Sequence, residues 1–262
     1  MSADLVVVTA ASSNHFGALV QMLASLRDLD ARVECYDIGL TSAEADALPR
    51  WPRAVHRTFN YDAHPPHMHV TVNAGEYAWK PVIVAEVIDR VRASADPCDV
   101  LWADAGCYFE SLSVIKARIA ASGLWVRRSA GTMRDWTHPG MFAWLGADAE
   151  VYADRINADA TLVGFAVGSF ADPEAAQRLY QGIVAPWRDC AMAKDCIAPS
   201  GSSRKNHRQD QSVLSYLIHR EGYAFADDDP RELGVLTKCD RWFYHYIGFG
   251  VPRRLYAYTC LS

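Results

Sequence analysis

The chain has 262 residues, half of them hydrophobic, which is enough to bury one large core. Charged residues make up 22% and the formal net charge is -5; with no strongly basic patch, binding to DNA or RNA is not expected. The sequence has no pattern of a signal peptide, no apolar run long enough to span a bilayer and no Cys-x-x-Cys pair among its seven cysteines, so we expect a single cytoplasmic domain over residues 1–262.

The first third of the chain alternates between strand and helix patterns. Apolar, β-branched runs predict strands, and apolar residues at helical spacing predict the helices between them. The predicted strands are residues 5–8, 32–36 and 54–58, and the predicted helices are residues 16–26 and a helix that begins near residue 42. This order predicts a mainly parallel sheet, and such sheets bind ligands at the carboxyl ends of their strands.

A long segment rich in His, Pro and Asn follows at residues 60–77 and predicts a surface loop. Three histidines within it, His64, His67 and His69, are spaced closely enough to share a zinc ion. The two prolines between them and the absence of a helical i, i+4 pair favour a mobile loop over an acceptor cleft instead. The next predicted elements are a helix that starts at Trp79 and a buried strand at residues 99–102.

The second half carries further strand and helix patterns. It predicts strands at residues 124–126 and 161–167, and helices at residues 112–121, from Asp172 to before Pro186, and after a polar loop at residues 199–206. The last of these helices ends at Gly222. Residues 136–142 are predicted to form either a loop that lines a cleft or a packed turn.

Asp104 is the most informative residue. It follows an apolar strand, and the small residues Ala105 and Gly106 beside it leave room for a ligand. A carboxylate there can hold Mg²⁺ or Mn²⁺ against the phosphates of a nucleotide. The alternative is that Asp104 caps the turn after the strand.

Three segments, in this order and separation, resemble a group of capsule and lipopolysaccharide glycosyltransferases. They are Ala74-Gly-Glu-Tyr-Ala-Trp-Lys-Pro81, Leu101-Trp-Ala-Asp-Ala-Gly-Cys107 and His207-Arg-Gln-Asp-Gln-Ser-Val-Leu214. The sequences around Cys190 and Cys196 are also similar to the DUF1647-like branch of that group. The resemblance covers roughly residues 5 to 225.

The resemblance implies an α/β fold of the GT-A type, a three-layer sandwich around a mainly parallel mixed sheet. Asp104 would then stand for the first carboxylate of the Asp-x-Asp motif that binds a metal and the donor phosphates. Gly106 occupies the second carboxylate's position, so a metal here has one fewer anionic ligand. The segment Phe243-Tyr-His245-Tyr-Ile-Gly248 is similar to the His-x-x-Gly segment of family 8 glycosyltransferases, whose histidine completes the metal site; His245 is also compatible with an aromatic cluster.

Two further segments can contribute to the site. Lys80 lies at a helix start, where both the ammonium and the helix N-terminus attract phosphate, unless it is an exposed lysine beside a packed tryptophan. Asp210 opens a helix after the polar loop. The resemblance implies that it acts as base or sugar contact, with Arg208 supplying positive charge; the alternative is that Asp210 caps the helix and pairs with Arg208.

The loop after the first strand corresponds to the place where GT-A folds hold base and ribose. Thr9, Ala10 and Ser12 are therefore candidate nucleotide-binding residues, although they could be ordinary turn residues. The loop lacks Gly-x-Gly-x-x-Gly, which argues against a dinucleotide or methyl-donor site. We assign residues 1–110 to a nucleotide-binding half and residues 111–262 to a half that binds the sugar and the acceptor.

Cys190 and Cys196 are close in sequence and could pair, but a reducing compartment predicts thiols. The sequence thus predicts an enzyme that transfers a sugar from a nucleotide-diphosphate sugar to a glycan, polysaccharide or lipid-linked acceptor. Its expected cofactor is Mn²⁺ or Mg²⁺, and peripheral association with a membrane stays open. The alternatives are an inactive sugar-nucleotide-binding or scaffold protein of polysaccharide assembly, and another Rossmann-like transferase such as a methyltransferase.

Overall fold

The computed structural model describes residues 5–50, 52–170, 172–229 and 232–237. Its strands are β1 Leu5–Ala11, β2 Arg32–Asp37, β3 Ala54–Thr58, β4 Asp99–Ala103, β5 Tyr108–Phe109, β6 Leu124–Thr132, β7 Ile156–Phe165 and β8 Val235–Leu236. Its α-helices are α1 Phe16–Leu26, α2 Ser42–Ala47, α3 Trp79–Arg92, α4 Ser113–Ser122, α5 Met133–Trp136, α6 Pro139–Trp144, α7 Ala149–Tyr152, α8 Pro173–Leu179, α9 Ala185–Met192, α10 Lys194–Ile197 and α11 Gln209–Glu221.

Six of these strands form one mixed sheet in the order β3-β2-β1-β4-β7-β6. The first four are parallel to one another, and β7 is antiparallel to both β4 and β6. The short strands β5 and β8 pair separately. The α/β class and the mainly parallel mixed sheet predicted from the sequence are therefore confirmed.

Helices cover both faces of this sheet. Successive residues of β1 alternate between the two faces, because side chains of a strand point to opposite sides. Val6, Val8 and Ala10 pack with α3, α9 and α11, whereas Leu5 and Val7 pack with α1 and α4. The result is three layers, with a hydrophobic core on each side of the sheet. Among the described residues, no helix combines the length and apolar character needed to cross a membrane.

The helical run after Asp172 is longer than the sequence predicts. Asp172 accepts a hydrogen bond from the Glu174 N–H and so caps α8, as expected. The prediction that helix ends before Pro186 is wrong, because a π-helical turn at Tyr180–Val184 joins α8 directly to α9. Pro186 lies inside this run and has no N–H to donate, and the Gly182 carbonyl four residues earlier accepts a hydrogen bond from Arg220 instead.

Cys190 and Cys196 form a disulfide that links α9 to α10, with their Cα atoms 5.2 Å apart. The expectation that both are reduced thiols is therefore wrong. The helices bring the two residues within bridging distance, which the sequence separation alone does not reveal. Because these two cysteines are paired, the cysteines no longer support the prediction of a reducing compartment.

The segment before α3 has an unusual backbone. Asn73, Ala74, Gly75, Glu76 and Tyr77 all have positive φ, between 48° and 65°. Residues other than glycine adopt this left-handed conformation at a cost of about 1–2 kcal/mol each. Hydrogen bonds hold it in place: the indole N–H of Trp79 donates to the Ala74 carbonyl, and Asn73 donates to the Glu76 carboxylate.

Gly75 is the one glycine of this left-handed segment, and it has no room for a side chain. A Cβ added there would lie 2.2 Å from the Met68 carbonyl oxygen. Gly146 makes a matched control, because its φ of +67° is nearly the same as the +65° of Gly75 and no atom lies within 4 Å of an added Cβ.

We therefore expect Gly146→Ala to lower the free energy of unfolding by about 1 kcal/mol through backbone strain alone. Gly75→Ala adds a clash with main-chain atoms, and we expect it to lower that free energy by roughly 3 kcal/mol or more. Urea denaturation of both variants measures the difference. Equal losses would show that the packing around Gly75 does not constrain the segment.

Candidate functional site

Two adjoining cavities open at the edge of the sheet where β1, β2 and β4 end. The larger has a volume of about 740 Å³ and the smaller about 240 Å³. Four residues line both cavities and so form the junction between them: Tyr77, Asp104, Thr161 and Arg204. This is the edge of a parallel sheet at which ligands bind.

The larger cavity is lined by the loop that follows β1. Ala10 and Ser12, both nucleotide-binding candidates, lie in its wall together with Gly39 of the loop after β2. Thr9 is not part of the lining of either cavity, because its side chain is fully buried within the sheet. The assignment of Thr9 to nucleotide binding therefore does not agree with the structure.

Asp104 lies at the junction, directly after β4. Its backbone N–H donates to the Thr161 carbonyl of β7, and its Oδ1 accepts a hydrogen bond from the indole N–H of the buried Trp102, at 2.8 Å. The turn after Asp104 closes through main-chain atoms, since the Cys107 N–H donates to the Asp104 carbonyl. The Asp104 side chain is 41% exposed and lines both cavities, so it is available to a ligand.

Lys80 joins Asp104 to Asp210. Its Nζ lies 3.0 Å from Asp104 Oδ1 and 2.9 Å from Asp210 Oδ2. It also donates to the carbonyl of Ala160 in β7, at 3.3 Å. The side chains of Lys80 and Asp210 are only 5% and 7% exposed, so Lys80 is not the exposed lysine that one interpretation of the sequence describes.

Burial and charge act against each other on these groups. Burial alone would lower the pKa of Lys80, but the negative charges of Asp104 and Asp210 outweigh it, and the pKa is raised. Burial raises the pKa of Asp210, and the nearby Lys80 ammonium opposes that rise. Lys80 therefore stays positively charged, and Asp210 is more basic than a carboxylate in water.

The start of α11 positions Asp210. The indole N–H of Trp187 in α9 donates to the Asp210 carbonyl at 2.8 Å. Gln209, the first residue of α11, has a φ of 39° and donates from Nε2 to the carboxylate of Glu76 in the left-handed segment. The residue at the N-cap position is Arg208, so Asp210 is not the helix cap.

Two arginines place positive charge beside this ion-pair network. The guanidinium of Arg208 lies 4.0 Å from the ring centre of Trp136, and that of Arg204 lies 5.0 Å from the ring centre of Tyr77. Both arginines line the smaller cavity, and Arg204 also lines the larger one. Sequence reasoning missed Arg204; the available signal was a basic residue in the polar loop that leads to the Asp210 helix.

His207 connects the turn between α5 and α6 to the start of α11. Its Nε2–H donates to the Ile197 carbonyl at 3.0 Å, and its Nδ1 accepts from the His138 N–H at 3.2 Å. Burial lowers the pKa of His207 to about 4. The imidazole is therefore neutral near pH 7, with the proton on Nε2.

The three histidines of the segment before α3 do not form a cluster. His67 is buried and its Nε2 donates to the Ala191 carbonyl, His64 stacks on Phe59, and His69 bonds to Thr71. None of the three histidines lines either cavity. Val70, Ala74 and Tyr77 of the same segment do line the larger cavity, so the segment borders the cleft while its histidines contact other partners.

The described residues do not contain a group of three or more His, Cys, Asp or Glu side chains arranged to hold a metal ion. Asp104, a predicted metal ligand, uses Oδ1 for both Lys80 and Trp102. His245, the second predicted ligand, and the segment Phe243–Gly248 lie outside the described residues.

A family model described as a protein of unknown function, DUF1647, matches residues 1–85. No curated protein sequence matches the chain. Among solved structures, the chain is similar to the galactosyltransferase LgtC in complex with donor and acceptor sugar analogues, at 14% identity and a TM-score of 0.49, covering 97% of this chain and 99% of the other. It is also similar to mouse xyloside xylosyltransferase 1, at 9% identity and a TM-score of 0.46, covering 88% of this chain and 86% of the other.

The low pKa of His207 makes stability depend on pH in a defined direction. The unfolded chain binds a proton at His207 near pH 6.5, whereas the folded chain binds it only near pH 4. The free energy of unfolding therefore decreases as pH falls from about 6.5 toward 4. It is lower by about 2 kcal/mol at pH 5.0 than at pH 7.5.

We expect His207→Gln to remove this part of the pH dependence, because the amide is neutral and can still donate to Ile197. Urea denaturation of both proteins at pH 7.5 and 5.0 measures the two differences. Identical pH dependence in both would contradict the assignment of a neutral, buried imidazole.

Proposed function

We propose that this chain is a glycosyltransferase of the GT-A type that transfers a sugar from a nucleotide-diphosphate sugar to a hydroxyl group of a glycan, polysaccharide or lipid-linked acceptor. The observation that carries the proposal is the junction of the two cavities, where Asp104, Lys80 and Asp210 form one ion-pair network beside Arg204. The three motifs that resemble glycosyltransferases each supply a member of this network.

The two cavities match the two parts of such a donor. The larger cavity is lined by the loops after β1 and β2 and has room for a nucleoside. The smaller cavity contains Asp210, Gln211 and Arg208, which can bind hydroxyl and phosphate oxygens. A diphosphate that spans the junction would pass Arg204 and bring the anomeric carbon beside Asp210. We thus propose that the nucleotide is bound mainly by residues 1–110 and the sugar and acceptor mainly by residues 111–262.

In the proposed reaction, the bond between the anomeric carbon and the terminal phosphate oxygen breaks, and its electron pair leaves with the diphosphate. The acceptor hydroxyl oxygen forms the new bond to the anomeric carbon, and its proton passes to Asp210. The raised pKa of Asp210 suits it to this role. Fixed positive charge from Lys80, Arg204 and Arg208 would stabilise the negative charge that develops on the diphosphate.

A divalent metal was expected at Asp104, and Mn²⁺ or Mg²⁺ would supply further positive charge at the diphosphate if bound. Both cations prefer several oxygen ligands. Within the described ranges the donor set does not fit this requirement, because Asp104 Oδ1 and Asp210 Oδ2 are both paired with Lys80. The proposed reaction therefore includes no step at a metal.

A thermal-shift screen of nucleoside diphosphates, nucleotide sugars and S-adenosylmethionine tests the ligand class. We expect stabilisation by at least one nucleoside diphosphate and its sugar conjugate, since a ligand that binds only the folded state raises the melting temperature. A response to S-adenosylmethionine alone would favour a methyltransferase. Binding of a nucleotide sugar with neither hydrolysis nor transfer would favour the binding or scaffold protein.

Substitution of the two carboxylates tests the proposed chemistry. We expect Asp210→Asn to lower kcat by about 10²- to 10⁴-fold, because the base is lost. Asp104→Asn should lower kcat/KM at least tenfold, because it removes one of the two carboxylate charges that hold the Lys80 ammonium beside the cavities. Asp189, an exposed aspartate paired with Arg188 outside both cavities, provides the control Asp189→Asn, which should stay within twofold of the unsubstituted protein. Full activity of Asp104→Asn would rule out its assigned role.

A further inference from the structure

The Lys80 ammonium occupies a position bounded by three oxygen atoms. They are Asp104 Oδ1 at 3.0 Å, Asp210 Oδ2 at 2.9 Å and the Ala160 carbonyl oxygen at 3.3 Å. The ammonium therefore has three oxygen atoms within 3.3 Å, two of them on carboxylates. The indole ring of Trp102 covers another side, 5.4 Å from Nζ to the ring centre.

This arrangement has the composition of a divalent-cation site. Two carboxylates and a main-chain carbonyl are the oxygen ligands that Mg²⁺ and Ca²⁺ take in proteins. Here the positive charge between these oxygen atoms is the Lys80 ammonium of the protein, in the place of a metal ion. Because the Lys80 side chain is only 5% exposed, the ammonium cannot move into solvent without leaving two carboxylates facing each other.

Lys80 is therefore poorly placed to bind the donor phosphates directly, since its ammonium is buried and already lies between two carboxylates. The groups that can do so are two exposed arginines that line the cavities. Arg204 lines both cavities and Arg208 lines the smaller one, and each is stacked on an aromatic ring that restricts its motion. A planar guanidinium binds phosphate through two parallel hydrogen bonds.

We propose that Lys80 takes the place of the divalent cation in this cleft, and that Arg204 and Arg208 bind the diphosphate, so that the donor binds without a metal. The part that concerns the diphosphate depends on the proposed function. The part that concerns the cation position depends only on Lys80 and the two carboxylates, so the two parts are tested separately.

Mn²⁺ binding tests the cation position without a nucleotide. Electron paramagnetic resonance of free Mn²⁺ is measured during titration of the full chain and of its Lys80→Ala, Asp104→Asn and Lys80→Ala/Asp104→Asn variants, with near-ultraviolet circular dichroism as the check of folding. We expect the unsubstituted protein to bind no more Mn²⁺ than the Asp104→Asn variant does. Lys80→Ala should gain one site, and the double variant should lose it.

Stoichiometric Mn²⁺ binding by the unsubstituted protein that disappears in Asp104→Asn would overturn the proposal. Absence of Mn²⁺ binding by a folded Lys80→Ala protein would also overturn it, because the position would then not be a cation site. The first arm needs only the unsubstituted protein and Asp104→Asn, so the proposal stays testable if Lys80→Ala does not fold.

Calorimetric titration with uridine diphosphate and guanosine diphosphate tests the diphosphate contacts, once in EDTA and once in Mn²⁺. We expect the dissociation constant of whichever nucleotide binds to agree within twofold between the two conditions. Arg204→Ala and Arg208→Ala should each weaken binding about tenfold, equivalent to 1.4 kcal/mol. Arg134→Ala is the control, because Arg134 pairs with Glu150 and lines neither cavity.

Binding that requires Mn²⁺ would overturn metal-free recognition while supporting the proposed function. If neither diphosphate binds in either condition, while the Mn²⁺ titration gives the expected results, the diphosphate part fails together with the proposed function and the cation-position part stands.

Discussion

The cleft depends on one buried positive charge, the Lys80 ammonium held between Asp104 and Asp210. Removing a charged amine from water is costly, and the two carboxylates within 3.0 Å offset most directly the loss of hydration. The network also joins three separate elements, because Lys80 lies on α3, Asp104 follows β4 and Asp210 lies on α11. A displacement of any of these elements would leave a charge unpaired in a poorly solvated place. The ion pairs therefore define the relative position of the elements around the cavities.

Uncharged hydrogen bonds hold the two aspartates of this network in place. The indole of Trp102 bonds to the Asp104 side chain, and the indole of Trp187 bonds to the Asp210 main chain. Both tryptophans are fully buried, so their N–H groups have few alternative partners. His207 connects the turn between α5 and α6 to the start of α11 as a neutral group, which avoids a further buried charge. Rigid support of this kind reduces the reorganisation that a ligand would require.

Backbone strain is concentrated where the cleft is built. The left-handed segment Asn73–Tyr77 delivers Tyr77 to the junction of the cavities and leads directly into α3. Gln209, also at positive φ, faces this segment through its bond to Glu76. Strained conformations persist only where surrounding contacts impose them, and they cluster at functional sites. The two strained stretches contact each other, and each is adjacent in sequence to a residue of the ion-pair network.

The sequence by itself determined the layered α/β architecture and singled out Asp104, Lys80 and Asp210 as candidate site residues, because periodicity and the ends of apolar runs are local properties. It could not reveal that one lysine bridges two aspartates 106 residues apart, since that contact forms only when α3, β4 and α11 pack on the same sheet. The continuation of helix through Pro186, the Cys190–Cys196 bridge and the buried position of Thr9 were likewise decided by tertiary packing. Each depends on distances between segments, and a one-dimensional pattern carries no such distances.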